Sequence, residues 1–264
     1  MTAAAHPIHH LEDVMGTIVT IDVYATTEVT GPELDELNEQ LARAQAVLHH
    51  ADEIFSTWQP QSPVSRLRRG EISLENAPPE VAEVLERCAV ARELSGGWFD
   101  PWAMPGGVDP TGYVKGWAAQ SALAAFSGAV SSDAVISGAI VNAAGDIASF
   151  GGLGNAQPFR VGIADPAAPR RLAAVVELIG AIATSGTYER GNHLIDPHSG
   201  DAISAAASAS VTGPDLGLAD ALATALAVAG EPGLALIEPL DGYEALIIGF
   251  DGSKRWTKGF PLAS

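Results

Sequence analysis

The sequence is poor in several features that would place it in a particular class of protein. It has one cysteine in 264 residues, Cys88, so no disulfide can form within the chain. It has 14 lysines and arginines against 32 aspartates and glutamates, which gives a formal net charge of −18. Such a chain repels the phosphates of nucleic acids and of anionic membranes. We therefore expect neither of them as a partner.

The sequence also lacks segments that would direct it to a membrane. No uninterrupted apolar run reaches the roughly 18 residues that a membrane-spanning helix requires. The N-terminal stretch MTAAAHPIHHLEDVMGT has no basic region followed by an apolar one, as a secretory leader would, and no lipobox cysteine. We expect a cytoplasmic protein without a membrane anchor; the alternative is an exported protein from which a leader has been removed.

Several common catalytic motifs are missing as well. No group of cysteines and histidines has the spacing of a zinc site, and neither a P-loop nor a Gly-x-Ser-x-Gly motif is present. Cys88 lies in an amphipathic helical pattern, which indicates a buried thiol rather than a nucleophile. A ligand that carries phosphates would need a bound cation or backbone amides to attract it to this anionic chain.

What the sequence does contain is a mixture of helix and strand patterns. Residues 17–25, TIVTIDVYA, alternate as a half-buried strand does, and residues 32–55 and 79–95 have apolar side chains at helical spacing. The segment between these two helices, FSTWQPQSPVSRLRRGE, is predicted to be a loop because it contains Pro60 and Pro63. Helix is predicted again from about Thr111.

The second half of the chain is predicted to be mostly strand. Residues 134–212 show short apolar runs separated by turns, and LAAVVELIGAIAT is taken as one of these strands. A helix over residues 216–230, a strand and a hairpin follow. Because strands and helices do not alternate regularly, we predict an α+β fold: a single domain over residues 1–264, with a largely antiparallel or mixed sheet flanked by helices.

A carboxylate and a hydroxyl recur at helical spacing in LADALATAL. Asp220 and Thr224 are four residues apart, so they lie on one face of the predicted helix and offer two hard oxygens to a cation such as Mg²⁺. The alternative is an aspartate favoured by the dipole near the helix start, with a threonine bonded back to the backbone.

A second candidate site lies in VDPTGYVKGW. Asp109 precedes a turn that opens a helix, and Lys115 follows one turn later; exposed amides and a lysine at a helix start can bind an anion. Gly112 would allow a ligand to approach the backbone closely. The alternative is ordinary capping by Asp109 or Thr111.

The stretch ATSGTYERGNHLIDPHSG concentrates polar and titratable residues between turn formers. His193 is a candidate general base, since the ordinary pKa of histidine lies near neutrality. The alternative is a solvated loop histidine. Five of the seven histidines lie in HPIHH and LHH and are interpreted as residues of the surface or of the start of the chain.

Taken in order along the chain, these motifs resemble the ApbE family of FAD:protein FMN transferases. The resemblance covers about residues 14–230. It rests on a Met-Gly-Thr strand start, a Phe-Ser-x-aromatic turn followed by Ser-x-Leu, and Phe-Asp-Pro. Four further motifs complete it, here DPTGYVKG, NAAGDI, TSGTYERGNHLIDPHSG and the Ala-Asp-Ala-Leu-Ala-Thr-Ala-Leu helix.

The resemblance implies transfer of the FMN half of FAD to a Thr or Ser hydroxyl of an acceptor flavoprotein, through a phosphoester bond and with release of AMP. It implies Mg²⁺, or Mn²⁺, as the cofactor and FAD as the substrate. His193 then corresponds to the catalytic residue that activates the acceptor hydroxyl. The metal ligands correspond to Gly112, Asp220 and Thr224, and the FAD contacts to Met15, Trp58, Trp102, Asp109, Lys115 and Leu194.

Two alternatives remain beside this function. Water could replace the acceptor hydroxyl, so that the same site would hydrolyse FAD to FMN and AMP, or the protein could bind flavin without turnover. The sequence departs from the family pattern in two places: the segment between Phe-Asp-Pro and Lys115 is short, and Ala144 stands where the family has the first glycine of Gly-Gly-Asp.

Overall fold

The computed structural model describes residues 6–129, 136–153, 157–186, 194–203 and 205–263. Its strands are β1 (His6–Val14), β2 (Thr17–Ala25), β3 (Ile136–Ala143), β4 (Asp146–Gly151), β5 (Phe159–Asp165), β6 (Ala168–Leu178), β7 (Ala181–Gly186), β8 (Ser208–Gly213), β9 (Glu244–Ile248) and β10 (Lys254–Trp256). Its α-helices are α1 (Pro32–Phe55), α2 (Pro63–Arg68), α3 (Pro79–Leu94), α4 (Thr111–Leu123), α5 (Leu216–Ala229) and α6 (Leu234–Ile237).

Eight of the described strands form one antiparallel sheet in the order β1-β2-β3-β4-β7-β8-β9-β10. Strands β5 and β6 form a separate hairpin. The predicted α+β class and the largely antiparallel sheet are confirmed. None of the helices in the described ranges has the length and the apolar composition needed to cross a bilayer.

The main sheet is covered on both faces. On β2 the side chains of Val19, Ile21 and Val23 are buried against the helices, and the alternate residues point away, as the sequence pattern predicts. The β5–β6 hairpin covers part of the other face, where its Phe159 packs with Ile182 of β7. The helical layer and this hairpin together bury the middle of the sheet.

Helices α4 and α5 approach each other unusually closely. A Cβ placed on Gly116 of α4 would overlap the carbonyl oxygen of Leu216, and one placed on Gly217 of α5 would lie 2.7 Å from the ring of Tyr113. Only glycine fits at such a contact. The side-chain oxygen of Gln120 also accepts a hydrogen bond of 2.5 Å from the backbone N–H of Leu216. These contacts fix the position of α4 relative to α5.

The structure corrects two of the sequence predictions. The segment predicted as a loop between α1 and α3 contains helix α2, where Ser62 accepts a hydrogen bond of 3.0 Å from Ser65 N–H and Pro63 occupies the first turn. Residues 172–184 do not form one strand, because the chain turns at Gly180 (φ 83°) and passes from one sheet to the other. The HPIHH segment, interpreted as a stretch of surface or start-region histidines, lies in strand β1.

Candidate functional site

Two strained hairpin turns lie side by side at one end of the main sheet. Met15-Gly16 joins β1 to β2, and Ala144-Gly145 joins β3 to β4, with β2 and β3 as neighbours. Met15 and Ala144 have φ angles of 55° and 53°, a left-handed backbone that costs a residue other than glycine roughly 1–2 kcal/mol. Met15 also packs against the main core, so its side chain is anchored at this end of the sheet.

A buried ion pair links α4 to the same end of the sheet. The ammonium group of Lys115 pairs with Oδ2 of Asp146, the first residue of β4, whose side chain is fully buried. Oδ1 of Asp146 accepts a hydrogen bond of 3.2 Å from the backbone N–H of Thr184 on β7. Lys115 itself keeps 25% of its side chain exposed, so its charge reaches the surface from a fixed position. Sequence reasoning missed Asp146, because only the fold brings it to Lys115.

Three further residues meet between β7, α4 and α5. Ser185 Oγ and Thr224 Oγ1 are 3.1 Å apart. A Cβ placed on Gly112 would lie 3.9 Å from Thr224 Oγ1 and 3.2 Å from the ring of Phe99, so the backbone of Gly112 faces the threonine. Asp220 lies one turn before Thr224 on α5 and is 4% exposed. Ser185 was not predicted as a site residue, although it belongs to the polar stretch that the sequence singles out.

This arrangement fits a hard divalent cation by the chemistry of its donors. A carboxylate on Asp220, a hydroxyl on Thr224 and a carbonyl on Gly112 are oxygen ligands of the kind that Mg²⁺ and Mn²⁺ prefer. The absence of a side chain on Gly112 lets its backbone pass close to the ring of Phe99 and to Thr224. Within the described residues no group of three histidines, cysteines, aspartates or glutamates is suited to a metal.

Asp109 is already engaged at the start of α4. Its Oδ1 accepts hydrogen bonds from the backbone N–H and the hydroxyl of Thr111, at 3.0 and 2.6 Å. Its Oδ2 pairs with Arg68 Nη1 at 2.8 Å. Asp109 thus bonds to the first residue of α4, as the capping alternative predicts. A contact between Asp109 and FAD stays a prediction.

Arg68 holds the short segment before α4 in place. Besides Asp109, its guanidinium donates to the carbonyl oxygens of Pro105 at 2.9 Å and Val108 at 3.3 Å, and its side chain is 15% exposed. A Cβ placed on Gly106 would lie 3.0 Å from Arg68 Nη2. Sequence reasoning missed this residue, because three arginines lie close together in the predicted loop and nothing local distinguishes the second.

The two tryptophans predicted to contact FAD lie at the surface. Trp58, between α1 and α2, is 92% exposed. Trp102 is half-exposed and borders a shallow pocket with Ala89 and Arg92, two residues on the exposed side of α3. The structure does not bring the two rings into one packed group with Thr224 or Lys115, so their role stays a prediction.

The polar stretch after β7 is described in part. His193 lies outside the described residues. Leu194 is buried in the main core, and its carbonyl oxygen accepts a hydrogen bond of 3.0 Å from Ile203 N–H, so a contact between Leu194 and FAD stays a prediction. Asp196 accepts hydrogen bonds from His198 N–H at 2.8 Å and Ser199 Oγ at 3.1 Å, and the first of these is the main reason that its pKa is lowered. Asp196 thereby shapes a turn that seats the His198 ring against Trp98, with centroids 4.5 Å apart.

The family is decided by comparison with known sequences. The sequence model of the ApbE family matches residues 15–106 and 103–247 of the chain, which covers most of its length. The chain belongs to the ApbE family. Every motif used above to recognise that family falls within or directly beside the matched residues.

Curated and solved relatives agree with this assignment. A FAD:protein FMN transferase from Rhodobacter capsulatus is 36% identical over 156 residues, which make up 55% of this chain and 29% of that protein. This ApbE chain therefore corresponds to less than a third of that relative.

The fold of the chain is that of solved ApbE proteins. The flavin transferase ApbE from Vibrio cholerae matches with a TM-score of 0.78 and 20% identity, and 98% of each chain is covered. The ApbE protein from Thermotoga maritima also gives 0.78 and 20%, over 96% of this chain and 97% of that one. At these identities the likeness establishes the fold alone.

Proposed function

We propose that this protein transfers the FMN half of FAD to a Thr or Ser hydroxyl of an acceptor flavoprotein, releases AMP and depends on Mg²⁺ for this reaction. The observation that supports the proposal is the approach of Gly112 to Thr224, one turn after the buried Asp220 on α5, while Lys115 on the helix of Gly112 is paired with Asp146. These residues offer candidate oxygen ligands for a cation and an ammonium group for a phosphate. A dinucleotide needs both kinds of group to be held by a chain whose formal charge is −18.

The reaction is a substitution at phosphorus. The acceptor hydroxyl oxygen forms a bond to the phosphorus of the FMN half, the bond from that phosphorus to the bridging pyrophosphate oxygen breaks, and AMP leaves with the electron pair. Such transfers depend on positioning and charge neutralisation more than on covalent help from the protein. When bound, Mg²⁺ would neutralise charge on the pyrophosphate oxygens.

The residues of the chain supply the remaining requirements. Asp220, Thr224 and the Gly112 carbonyl would hold the cation. Lys115, kept in one orientation by Asp146, would bind a phosphate oxygen and so limit rotation of the pyrophosphate. His193 would accept the proton of the acceptor hydroxyl, since neutral imidazole is available near pH 7.

The flavin ring needs a flat apolar contact. Met15, anchored against the core at the end of the sheet, and the exposed rings of Trp58 and Trp102 could provide one. Asp109 and the backbone at Leu194 would complete the FAD site.

The direct test compares the wild-type protein with Asp220→Asn, which keeps the size of the buried side chain. Each is incubated with FAD, Mg²⁺ and a candidate acceptor. AMP is measured by chromatography, and flavin on the denatured acceptor by in-gel fluorescence. We expect both products from the wild type and a loss of at least about 100-fold from the variant, as for the removal of a group that stabilises transition-state charge.

The products separate this function from the two others. Free FMN with AMP, and no flavin on the acceptor, would indicate hydrolysis. An absence of AMP from the wild type would indicate a flavin-binding protein without turnover. Full activity of Asp220→Asn would contradict the assignment of the metal ligands.

A further inference from the structure

The described lysines and arginines fall into two groups: those that form ion pairs with carboxylates and those that do not. Nine of the described lysines and arginines form ion pairs with carboxylates. The described basic residues outside these ion pairs are Arg170, Arg171, Lys254 and Lys258. All four lie on strand β6 or in the C-terminal segment around β10. Strand β6 and residues 250–258 together carry five lysines and arginines against two acidic residues, Glu177 and Asp251, so positive charge is in excess there.

Three of these residues lie close together. The ammonium group of Lys254 donates a hydrogen bond to the carbonyl oxygen of Ala173, so β10 lies beside the first half of β6. Arg171 is two residues before Ala173, which corresponds to about 7 Å along a strand. Two exposed aromatic residues are close in sequence to Lys254: Phe250, which is 67% exposed in the turn before β10, and the half-exposed Trp256 on it. We call Arg170, Arg171, Phe250, Lys254 and Trp256 the basic edge.

The basic edge is at the same end of the sheet as the candidate site. The strand registers pair Lys254 with Ile248, Ile248 with Ser208, and Ser208 with Gly186. Three steps between neighbouring strands amount to about 14 Å. Gly186 directly follows Ser185, whose hydroxyl contacts Thr224. An extended segment of four or five residues therefore spans the distance along this end of the sheet from Lys254 to Gly186.

We propose that the basic edge binds an acidic segment of the acceptor protein and so brings its Thr or Ser to the site. This inference rests on the function proposed above, which requires a protein as acceptor. An acidic segment is the complementary ligand, because most of the surface repels it whereas the basic edge attracts it. Strand β10 is the last strand of the sheet, so an extended segment could also add to it through backbone hydrogen bonds. The aromatic residues would contact apolar side chains of the segment.

The test uses paired variants and paired peptides. Arg170→Glu/Arg171→Glu changes two residues of the basic edge, and Arg43→Glu/Arg66→Glu makes the same change of charge on other surfaces. The probe is a fluorescein-labelled peptide with one Thr flanked by Glu and Leu, and its control has Gln in place of Glu. Binding is measured by fluorescence anisotropy at low salt, and thermal unfolding shows that both variants are folded.

We expect the Glu peptide to bind the Arg170→Glu/Arg171→Glu variant about tenfold more weakly than the wild type, since two attractions become repulsions. The control variant should differ from the wild type by less than about twofold, and the Gln peptide should bind weakly to all three proteins. Equal binding of the Glu peptide to both variants would overturn the proposal. So would a variant that keeps the peptide but loses binding to phosphatidylglycerol vesicles, which would indicate a membrane surface instead.

FAD binding without an acceptor, measured by quenching of flavin fluorescence, separates this proposal from the proposed function. If the Arg170→Glu/Arg171→Glu variant keeps FAD binding and loses the peptide, the basic edge acts in acceptor binding. If even the wild type releases no AMP with any acceptor, the proposed function fails, whatever the peptide does. If the variant binds the peptide normally while both proteins remain active, only the basic edge is refuted.

Discussion

The two halves of the candidate site differ in how far they are organised before a ligand binds. The residues assigned to the metal and the phosphates lie on α4, α5, β4 and β7, where Lys115, Asp146, Ser185 and Thr224 already contact one another or neighbouring backbone. The tryptophans assigned to the flavin are exposed. On the proposed function, we expect the pyrophosphate to enter a preformed site and the flavin ring to acquire its contacts on binding. Substitutions in the two halves should therefore act differently.

The largest effect is expected at the buried ion pair. Lys115→Met leaves the fully buried Asp146 carboxylate without its cation, so both stability and FMN transfer should fall. Breaking a buried pair costs about 3–5 kcal/mol, and the partial exposure of Lys115 places this one at or below the lower end. Urea unfolding and AMP release measure the two effects.

The double variant Lys115→Met/Asp146→Asn is the control for this prediction. It should recover much of the lost stability, because no unpaired charge is buried, but not the activity. Recovery of the activity would show that Lys115 acts only through folding.

A moderate effect is expected at the residue that holds the segment before α4. Arg68→Lys keeps the charge but cannot reproduce the three hydrogen bonds to Pro105, Val108 and Asp109, so the KM for FAD should rise more than kcat falls. The loss of stability should be about 1–3 kcal/mol, as for hydrogen bonds to a charged group. Arg69→Lys, on an exposed neighbour, is the matched control. A change in kcat alone would contradict a positioning role.

A smaller effect is expected from the exposed ring of Trp58. Trp58→Ala should leave the melting temperature unchanged, because the side chain buries little, and should weaken FAD binding by roughly 0.5–1.5 kcal/mol, the contribution of one aromatic contact. Quenching of flavin fluorescence measures the binding. Trp256→Ala, on the basic edge, should leave FAD binding as it is. Equal FAD affinities in the wild type and Trp58→Ala would contradict a contact between Trp58 and the flavin ring.

The smallest functional effect is expected at Cys88. Burial is the main reason that the pKa of its thiol is raised, to about 12, so the neutral form persists in the folded protein throughout the ordinary pH range. Iodoacetamide at pH 8 should modify it only in the unfolded protein. The raised pKa stabilises the fold below the ordinary thiol pKa of 9.0, and this contribution is lost as the pH rises towards 12. Rapid modification of the folded protein would contradict this burial.

The elements with regular patterns were predictable from the sequence. Helix α1 has the predicted bounds, and α3 and α4 agree within a residue or two, because apolar spacing and helix-ending glycines are local signals. Strand β1 was not predicted, since its inward face carries polar groups: Glu12 accepts hydrogen bonds from Gln45 at 2.7 Å and contacts His49 at 2.8 Å on α1. No sequence feature within β1 predicts contacts with residues 33 and 37 positions away.

The candidate site was predictable only in part, because some of its contacts join residues that are far apart in the sequence. Asp220 and Thr224 share a helix face, so their relation follows from helical spacing. The contacts of Asp146 with Lys115 and of Arg68 with Asp109 join residues 31 and 41 positions apart, which sequence spacing does not reveal. The single domain over residues 1–264 and the role of His193 stay predictions.

The central claim is that oxygens on α5 and on Gly112 hold a divalent cation for FAD. Its most direct measurement is a titration of Mn²⁺ into the protein with FAD, followed by electron paramagnetic resonance, for the wild type, Asp220→Asn, Thr224→Val and the control Thr20→Val on the outer face of β2. We predict one tight site in the wild type and in Thr20→Val, and at least about tenfold weaker binding in both α5 variants, since Asp220→Asn removes the negative charge of its ligand and Thr224→Val removes a hydroxyl oxygen. Equal Mn²⁺ affinity in all four folded proteins would contradict the account.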